Sequence, residues 1–203
     1  MLFAAAWLFG GVTEDVLSGD PLTVVDVVIA QWLHAHVTPG LTGWMLAITN
    51  LHGTLSISAY VAAVAIYLAW RRDWYWLLCL GVVVPGGMAI NVLGKLVFQR
   101  ARPEFEAPLV TLSSFGYPSG HVAGATLFYG VVGAMLLAKL KSPRAKALVV
   151  LCALAIIALV AFTRIYLGAH YLSDVIAAFA AALAWLALCL LTIHRVAGGL
   201  RPR

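Results

Sequence analysis

Charge is what this chain has little of. Only 10% of its 203 residues are Asp, Glu, Lys or Arg, against roughly 25% in soluble domains, which excludes an ordinary water-soluble domain. Carboxylates are scarcest, with eight Asp and Glu in all. No group of them is arranged to hold a divalent cation; Glu104 and Glu106 are the only candidates beside the basic segments discussed below. The three cysteines, Cys79, Cys152 and Cys189, each lie inside an apolar run without Cys-x-x-Cys spacing. They read as small buried residues, neither metal ligands nor disulfide partners. The N-terminus lacks the basic start and small-residue cleavage site of a signal peptide. Its apolar run, residues 1–13, is shorter than the roughly 20 residues that cross a bilayer core. A short tilted first helix or a start further upstream is expected.

Apolar sequence is what remains: 63% of the residues are hydrophobic and the mean hydropathy is +0.97. The fold class is therefore all-α, a polytopic membrane helical bundle forming one transmembrane domain over residues 1–203. After the first run, Glu14, Asp15, Gly19, Asp20 and Pro21 take the chain out of the membrane. Residues 22–37 are apolar but interrupted by Asp26, Gln31, His34 and His36, the pattern of a helix lying at the interface. Thr38-Pro39-Gly40 is a turn, 41–52 is semi-polar, and 54–70 carries no charge. Further apolar runs cover 74–94, 121–138, 147–162 and 175–194. Within the first of these, Pro85-Gly86-Gly87 should bend the helix or thin one face for close packing. About six transmembrane helices are expected, with the interfacial helix between the first and second.

The net charge of +5 is no nucleic-acid signal, because most basic residues fall in short loops between apolar runs. Arg71-Arg72, the loop holding Lys139, Lys141, Arg144 and Lys146, and the C-terminal Arg195, Arg201 and Arg203 share one side. The positive-inside rule makes that side cytoplasmic. The opposite side nevertheless carries Lys95, Arg100, Arg102 and Arg164. A bound anion would account for cations that defy the rule.

Three segments meet there. In KLVFQRARP, residues 95–103, a helix end presents Lys95 and the extended exit before Pro103 presents Arg102. Arg100, between them, reads as either a phosphate ligand or a lipid headgroup contact, the latter favoured. In YPSGH, residues 117–121, Ser119 is a natural N-cap and Gly120 lets an anion approach the free amides. His121 follows in the first helical turn, placed to give a proton to a leaving oxygen. In TRIYLGAHYLSD, residues 163–174, Arg164 offers a planar fork for phosphate oxygens. If the stretch from Tyr166 is helical, His170 and Asp174 stand one turn apart on one face. An Asp behind a His fixes its tautomer and raises its basicity, which suits a nucleophile or general base.

These three segments resemble the signature of the type 2 phosphatidic acid phosphatase superfamily of membrane lipid phosphatases: Lys-x6-Arg-Pro, then Pro-Ser-Gly-His, then Ser-Arg-x5-His-x3-Asp. All spacings match, with Thr163 in place of the usual Ser. The resemblance implies that Lys95, Arg102, Arg164, Ser119 and the Gly120 amide hold phosphate. It further implies that His170 attacks phosphorus, Asp174 orients it, and His121 protonates the leaving group. Water then cleaves the phosphohistidine, with His121 as base. No metal and no cofactor is implied. Three fixed cations and a helix N-terminus match the charge of a phosphoryl transition state by themselves.

The expected partners are the bilayer and a membrane lipid phosphate, in a bacterial cell membrane with the site on the extracytoplasmic side. By its layout the chain resembles bacterial members acting on undecaprenyl pyrophosphate or phosphatidylglycerol phosphate, the former ranked slightly ahead. Phosphatidic acid and broad specificity remain open, since the motifs read the phosphate and not the tail. A lipid phosphotransferase is a second enzymatic reading. An anion transporter or channel is a third, weakened because the charges sit at helix ends and no ionisable residue lies mid-span in the last two helices.

Overall fold

The computed structural model describes residues 2–197 and consists of helices. In chain order they are α1 (Leu2–Ser18), α2 (Pro21–Ala35), α3 (Pro39–Leu51), α4 (Thr54–Trp70), α5 (Trp74–Phe98), α6 (Gly120–Lys139), α7 (Pro143–Tyr166) and α8 (Leu172–Ala197). Four of them, α5 to α8, are long and apolar enough to cross a membrane alone. The remaining four form two bent pairs, α1 with α2 at 83° and α3 with α4 at 44°. A 44° bend leaves α3 and α4 as one broken span. An 83° bend sends α2 across the axis of α1, the orientation a helix lying at the interface beside a spanning helix would take. The structure thus holds four to six candidate spans, six when each bent pair is counted as one, in keeping with the about six that the sequence pattern implies.

Local chemistry explains the breaks. Gly19 adopts φ +77°, which only glycine takes freely, and Pro21 opens α2. The first helix runs on through Glu14 and Asp15 to Ser18 instead of ending near Thr13. At about 1.5 Å per residue, its 17 residues reach most of the way across the hydrocarbon. Inside α5, Pro85 does not break the helix. Gly86 and Gly87 thin its face: an added Cβ would lie 2.8 Å from the Trp185 ring at Gly86 and 2.6 Å from the Leu127 side chain at Gly87. The Trp185 indole donates to the Val83 carbonyl at 3.1 Å, closing α5 onto α8. Val83, Leu127, Val160 and Leu186 form the centre of the core around this contact.

Helix α1 packs along α8. Val12, Tyr117 and Ala177 are buried between them, and the Tyr117 hydroxyl meets Thr13 Oγ1 at 2.6 Å. At one end of the bundle Lys139 Nζ lies 3.7 Å from Asp73 Oδ2, so the two internal basic loops share a face. The C-terminal Arg201 and Arg203 lie outside the described residues. Cys79 and Cys189 are buried, but Cys152 is exposed on α7, contrary to the sequence expectation. That helix is apolar all round and buries chiefly its last turns. Lipid accepts an apolar face as readily as a core does, so composition could not say which side faced inward.

Candidate active site

Four helix ends converge at the face opposite the two basic loops: the C-termini of α5 and α7 and the N-termini of α6 and α8. The Ser119 amide donates to the Asp174 carbonyl at 3.1 Å, which ties the start of α6 to the first turn of α8. The intervening loop is closed by the Gly116 amide on the Arg100 carbonyl at 2.8 Å. Every residue that the motifs single out lies in this cluster.

The His and Asp are not on one helix. Helix α7 ends at Tyr166 and α8 begins at Leu172, so His170 sits in the turn between them. Gly168 makes that turn, at φ +65° and with the Phe105 ring 2.7 Å from where a Cβ would stand. Asp174 occupies the third position of α8 and accepts the Tyr171 amide on Oδ2 at 2.9 Å, as an acidic residue at this position does when it caps a helix start. The same oxygen faces His170 Nδ1 at 3.4 Å, and that nitrogen has no closer partner. The spacing therefore delivers the pair by a turn and a cap instead of by helical periodicity. With Nδ1 protonated toward Asp174, the lone pair is on Nε2, 3.2 Å from Arg102 Nη1.

His170 is almost fully buried. Burial pushes its pKa down to about 4, and the Arg102 and Arg164 charges push the same way, against the raising effect of Asp174. The imidazole is thus neutral at physiological pH, with the Nε2 lone pair free of a proton. Arg102 donates from Nε to the Ser114 carbonyl at 2.6 Å, from Nη1 to the Ala169 carbonyl at 2.5 Å, and from Nη2 to Ser114 Oγ at 2.9 Å. Lys95 Nζ donates to the Phe115 carbonyl at 2.7 Å. Arg164, buried, donates to Thr49 Oγ1 on α3 at 2.6 Å, while its Nε has no partner. Among the described residues, none of these three cations has a carboxylate within ion-pair distance. They are held in place by neutral oxygens and keep their charge uncompensated.

Ser119 stands at the N-cap of α6 but makes no side-chain cap bond, and its buried Oγ has no partner. Capping therefore does not explain the hydroxyl. Gly120 leaves the helix start open beside Asn91 Oδ1 and the Lys95 stem. His121 follows on α6, half-buried and within Coulombic reach of Arg164, His170 and Arg102. Thr163 spends its hydroxyl on the Val160 carbonyl at 2.7 Å, within its own helix. The change from Ser to Thr thus reaches no neighbouring segment.

Arg100 corrects the sequence reading. It is no headgroup contact: Nη1 reaches Ser173 Oγ and Asp174 Oδ1, both at 2.6 Å, and Nη2 reaches Asp26 Oδ2 at 2.8 Å. Asp26, read in the sequence as a polar interruption of an interfacial helix, is fully buried. Asp26 and Thr49 went unnoticed because their partners lie far off in the chain. An inward-facing Asp in an otherwise apolar helix was the one available signal. Glu104 and Glu106 join no metal-binding group among the described residues.

Two spaces adjoin the site. A polar cleft of about 500 Å³ is lined by Arg100, Arg102, Glu104, Ser114, Gly168 and Ala169. An apolar cleft of about 770 Å³ between α4 and α5 is walled by Ile57, Val61, Val84, Met88 and Val92 and ends at His121. Arg102 thus lines the polar cleft and His121 the apolar one.

Residues 74–197 match the family model described as the PAP2 superfamily. A protein of Bacillus subtilis (strain 168) named phosphatidylglycerophosphatase B is 34% identical over 143 residues, 70% of each chain. The crystal structure described as the first transmembrane PAP2 type phosphatidylglycerolphosphate phosphatase, from Bacillus subtilis, superposes with a TM-score of 0.79 at 28% identity, covering 96% of this chain and 95% of that one. The crystal structure of Aquifex aeolicus LpxE shares the fold, with a TM-score of 0.62 at 18% identity over 82% of this chain and 95% of that one. A match across all three motif segments and the helices that carry them establishes that this chain belongs to the PAP2 superfamily and is a membrane lipid phosphatase.

Proposed function

We propose that this phosphatase hydrolyses phosphatidylglycerol phosphate through a phosphohistidine on His170. The observation that carries the mechanism is the contrast among the basic side chains. Arg100 is neutralised by two carboxylates, whereas Lys95, Arg102 and Arg164 are fixed by neutral acceptors and lie within Coulombic reach of one another. Such a set is preorganised for a dianion, and the unpartnered Ser119 hydroxyl and the amides at the start of α6 complete the cradle.

In this reading the phosphate seats among the three cations, and His170 Nε2 attacks phosphorus in line with the leaving oxygen. Asp174 holds Nδ1 and stabilises the positive ring as the N–P bond forms. His121 protonates the departing lipid oxygen, then takes a proton from the water that cleaves the N–P bond. An apolar trough that His121 helps to line supports seating the apolar part of the substrate on the leaving-group side, as a lipid monoester requires. The relatives' names move phosphatidylglycerol phosphate ahead of undecaprenyl pyrophosphate, reversing the order the layout had implied. By the positive-inside rule the site lies on the extracytoplasmic face, since the opposite end carries the basic loops.

Phosphate release from purified lipids in detergent tests this. The wild type should favour phosphatidylglycerol phosphate over undecaprenyl pyrophosphate and phosphatidate, and should keep its activity in EDTA. His170→Ala should lose about 1,000-fold or more in kcat. Preference for the pyrophosphate would overturn the substrate assignment. Full activity in His170→Ala would overturn the mechanism.

A further inference from the structure

Asp26, Arg100 and Ser173 form a hydrogen-bonded group around Asp174, and the mechanism above, which uses Asp174, leaves those three without a role. Asp26, Ser173 and Asp174 are all fully buried. Asp26 Oδ1 accepts the Ser173 amide at 2.9 Å, and Oδ2 accepts the Ser173 hydroxyl at 2.5 Å and Arg100 Nη2 at 2.8 Å. The other nitrogen of Arg100 bonds both Ser173 Oγ and Asp174 Oδ1. Arg100 is steadied from outside by the Tyr171 ring, 4.7 Å from its Cζ. Two carboxylates from distant parts of the chain are thus joined through one guanidinium fork.

We propose that Asp26 and Arg100 are positioning residues for the reaction: α2 anchors Arg100, and Arg100 fixes the rotamer of Asp174 that aims His170. The proposal rests on the reading of His170 as nucleophile. Asp174 has two oxygens with two duties. Oδ2 serves the Tyr171 amide and His170 Nδ1, and Oδ1 is held by Arg100 alone among the described residues. Without that bond the carboxylate can turn about its Cβ–Cγ axis and carry Oδ2 away from the ring. Without Asp26, half of the Arg100 fork is unpaired, and the other half keeps only Ser173, Asp174 and the Tyr171 ring, none of them anchored on α2.

Charge points the same way. Asp26, Arg100 and Asp174 together carry one net negative charge, which offsets the positive imidazole formed when His170 takes up phosphorus. Removing Arg100 would bury two carboxylates with no cation between them, and breaking a buried pair in this way is strongly unfavourable. A lysine does not replace Arg100, because a single ammonium cannot bridge both carboxylates in the plane of a fork. The interfacial helix thereby becomes part of the catalytic assembly: the carboxylate that breaks its apolar pattern is its contact with the reacting histidine's partner.

The test is steady-state kinetics on full-length variants in detergent, with phosphatidylglycerol phosphate or whichever lipid of the panel the wild type turns over. Asp26→Asn, Arg100→Gln and Arg100→Lys should each lower kcat about 100-fold, as displaced catalytic groups do. KM and inhibition by vanadate should stay within about twofold of wild type, because neither residue touches phosphate. Ser173→Ala keeps every charge and removes only the shared hydroxyl. It should fold as wild type and lose kcat severalfold at unchanged KM, and it decides the matter if the charge variants do not fold. Wild-type kcat in Ser173→Ala or in folded Asp26→Asn overturns the proposal. A raised KM at unchanged kcat in Arg100→Gln also overturns it, since Arg100 would then be a substrate ligand. His170→Ala in the same series separates the two ideas. If it is inactive while the others match wild type, the nucleophile stands and the positioning role falls; if it is active, the nucleophile itself falls.

Discussion

The behaviour of single side chains here follows from which partner each was given. Lys95, Arg102 and Arg164 meet carbonyl and hydroxyl oxygens, which fix position without cancelling charge, whereas Arg100 meets two carboxylates and is spent. The motif spacing made the first three legible, because each lies within a few residues of another motif position. The fourth was read wrongly from the same segment. Its partners are 74 residues away in both directions, and no local pattern encodes that separation. His170 shows a second consequence of surroundings. Its pKa is held near 4 by burial, below the roughly 6.5 of a free imidazole. As the proposed nucleophile His170 acts when neutral, so kcat/KM should fall as pH drops through about 4 and not through about 6.5. A pH profile of kcat/KM measures this, and an acid limb near 6.5 that vanishes in no single-histidine variant would contradict it.

Among the elements, the turn between α7 and α8 matters most. The pair meets by a geometry other than the one periodicity implies: the spacing put His170 and Asp174 on one helix, while the chain uses Gly168 to leave α7 and an Asp cap to enter α8. Gly168 was the sign of a break, but it carries no information about where the next helix begins. Gly168→Ala combines a left-handed backbone, worth about 1 to 2 kcal/mol, with a clash against Phe105. Because His170 is two residues on, kcat should drop at least tenfold, more than the loss of folded protein in a thermal melt accounts for. Equal losses of activity and of folded protein would mean that the turn only supports the fold. Helix α2 was legible as interfacial from its polar interruptions. Its catalytic contact was not, since an Asp facing lipid headgroups and an Asp facing the core look alike in sequence.

For the whole molecule, hydropathy and loop charge conveyed the span count, the interfacial helix and the two dissimilar ends of the bundle. They could not tell core from lipid on a uniformly apolar helix, as Cys152 illustrates. The Lys139–Asp73 contact joins the basic loops at the end remote from the site. A cysteine replacing Glu106 should therefore react with a membrane-impermeant maleimide on intact cells, and one replacing Lys141 only after lysis. The reverse result would invert the orientation. The most direct measurement is of the covalent intermediate. Enzyme mixed with lipid phosphate, quenched in alkali within milliseconds and digested for mass spectrometry, should carry phosphate on His170, and the adduct should be acid-labile and missing from His170→Ala. Phosphate found on a different side chain, or an adduct that persists in His170→Ala, would contradict nucleophilic attack by His170.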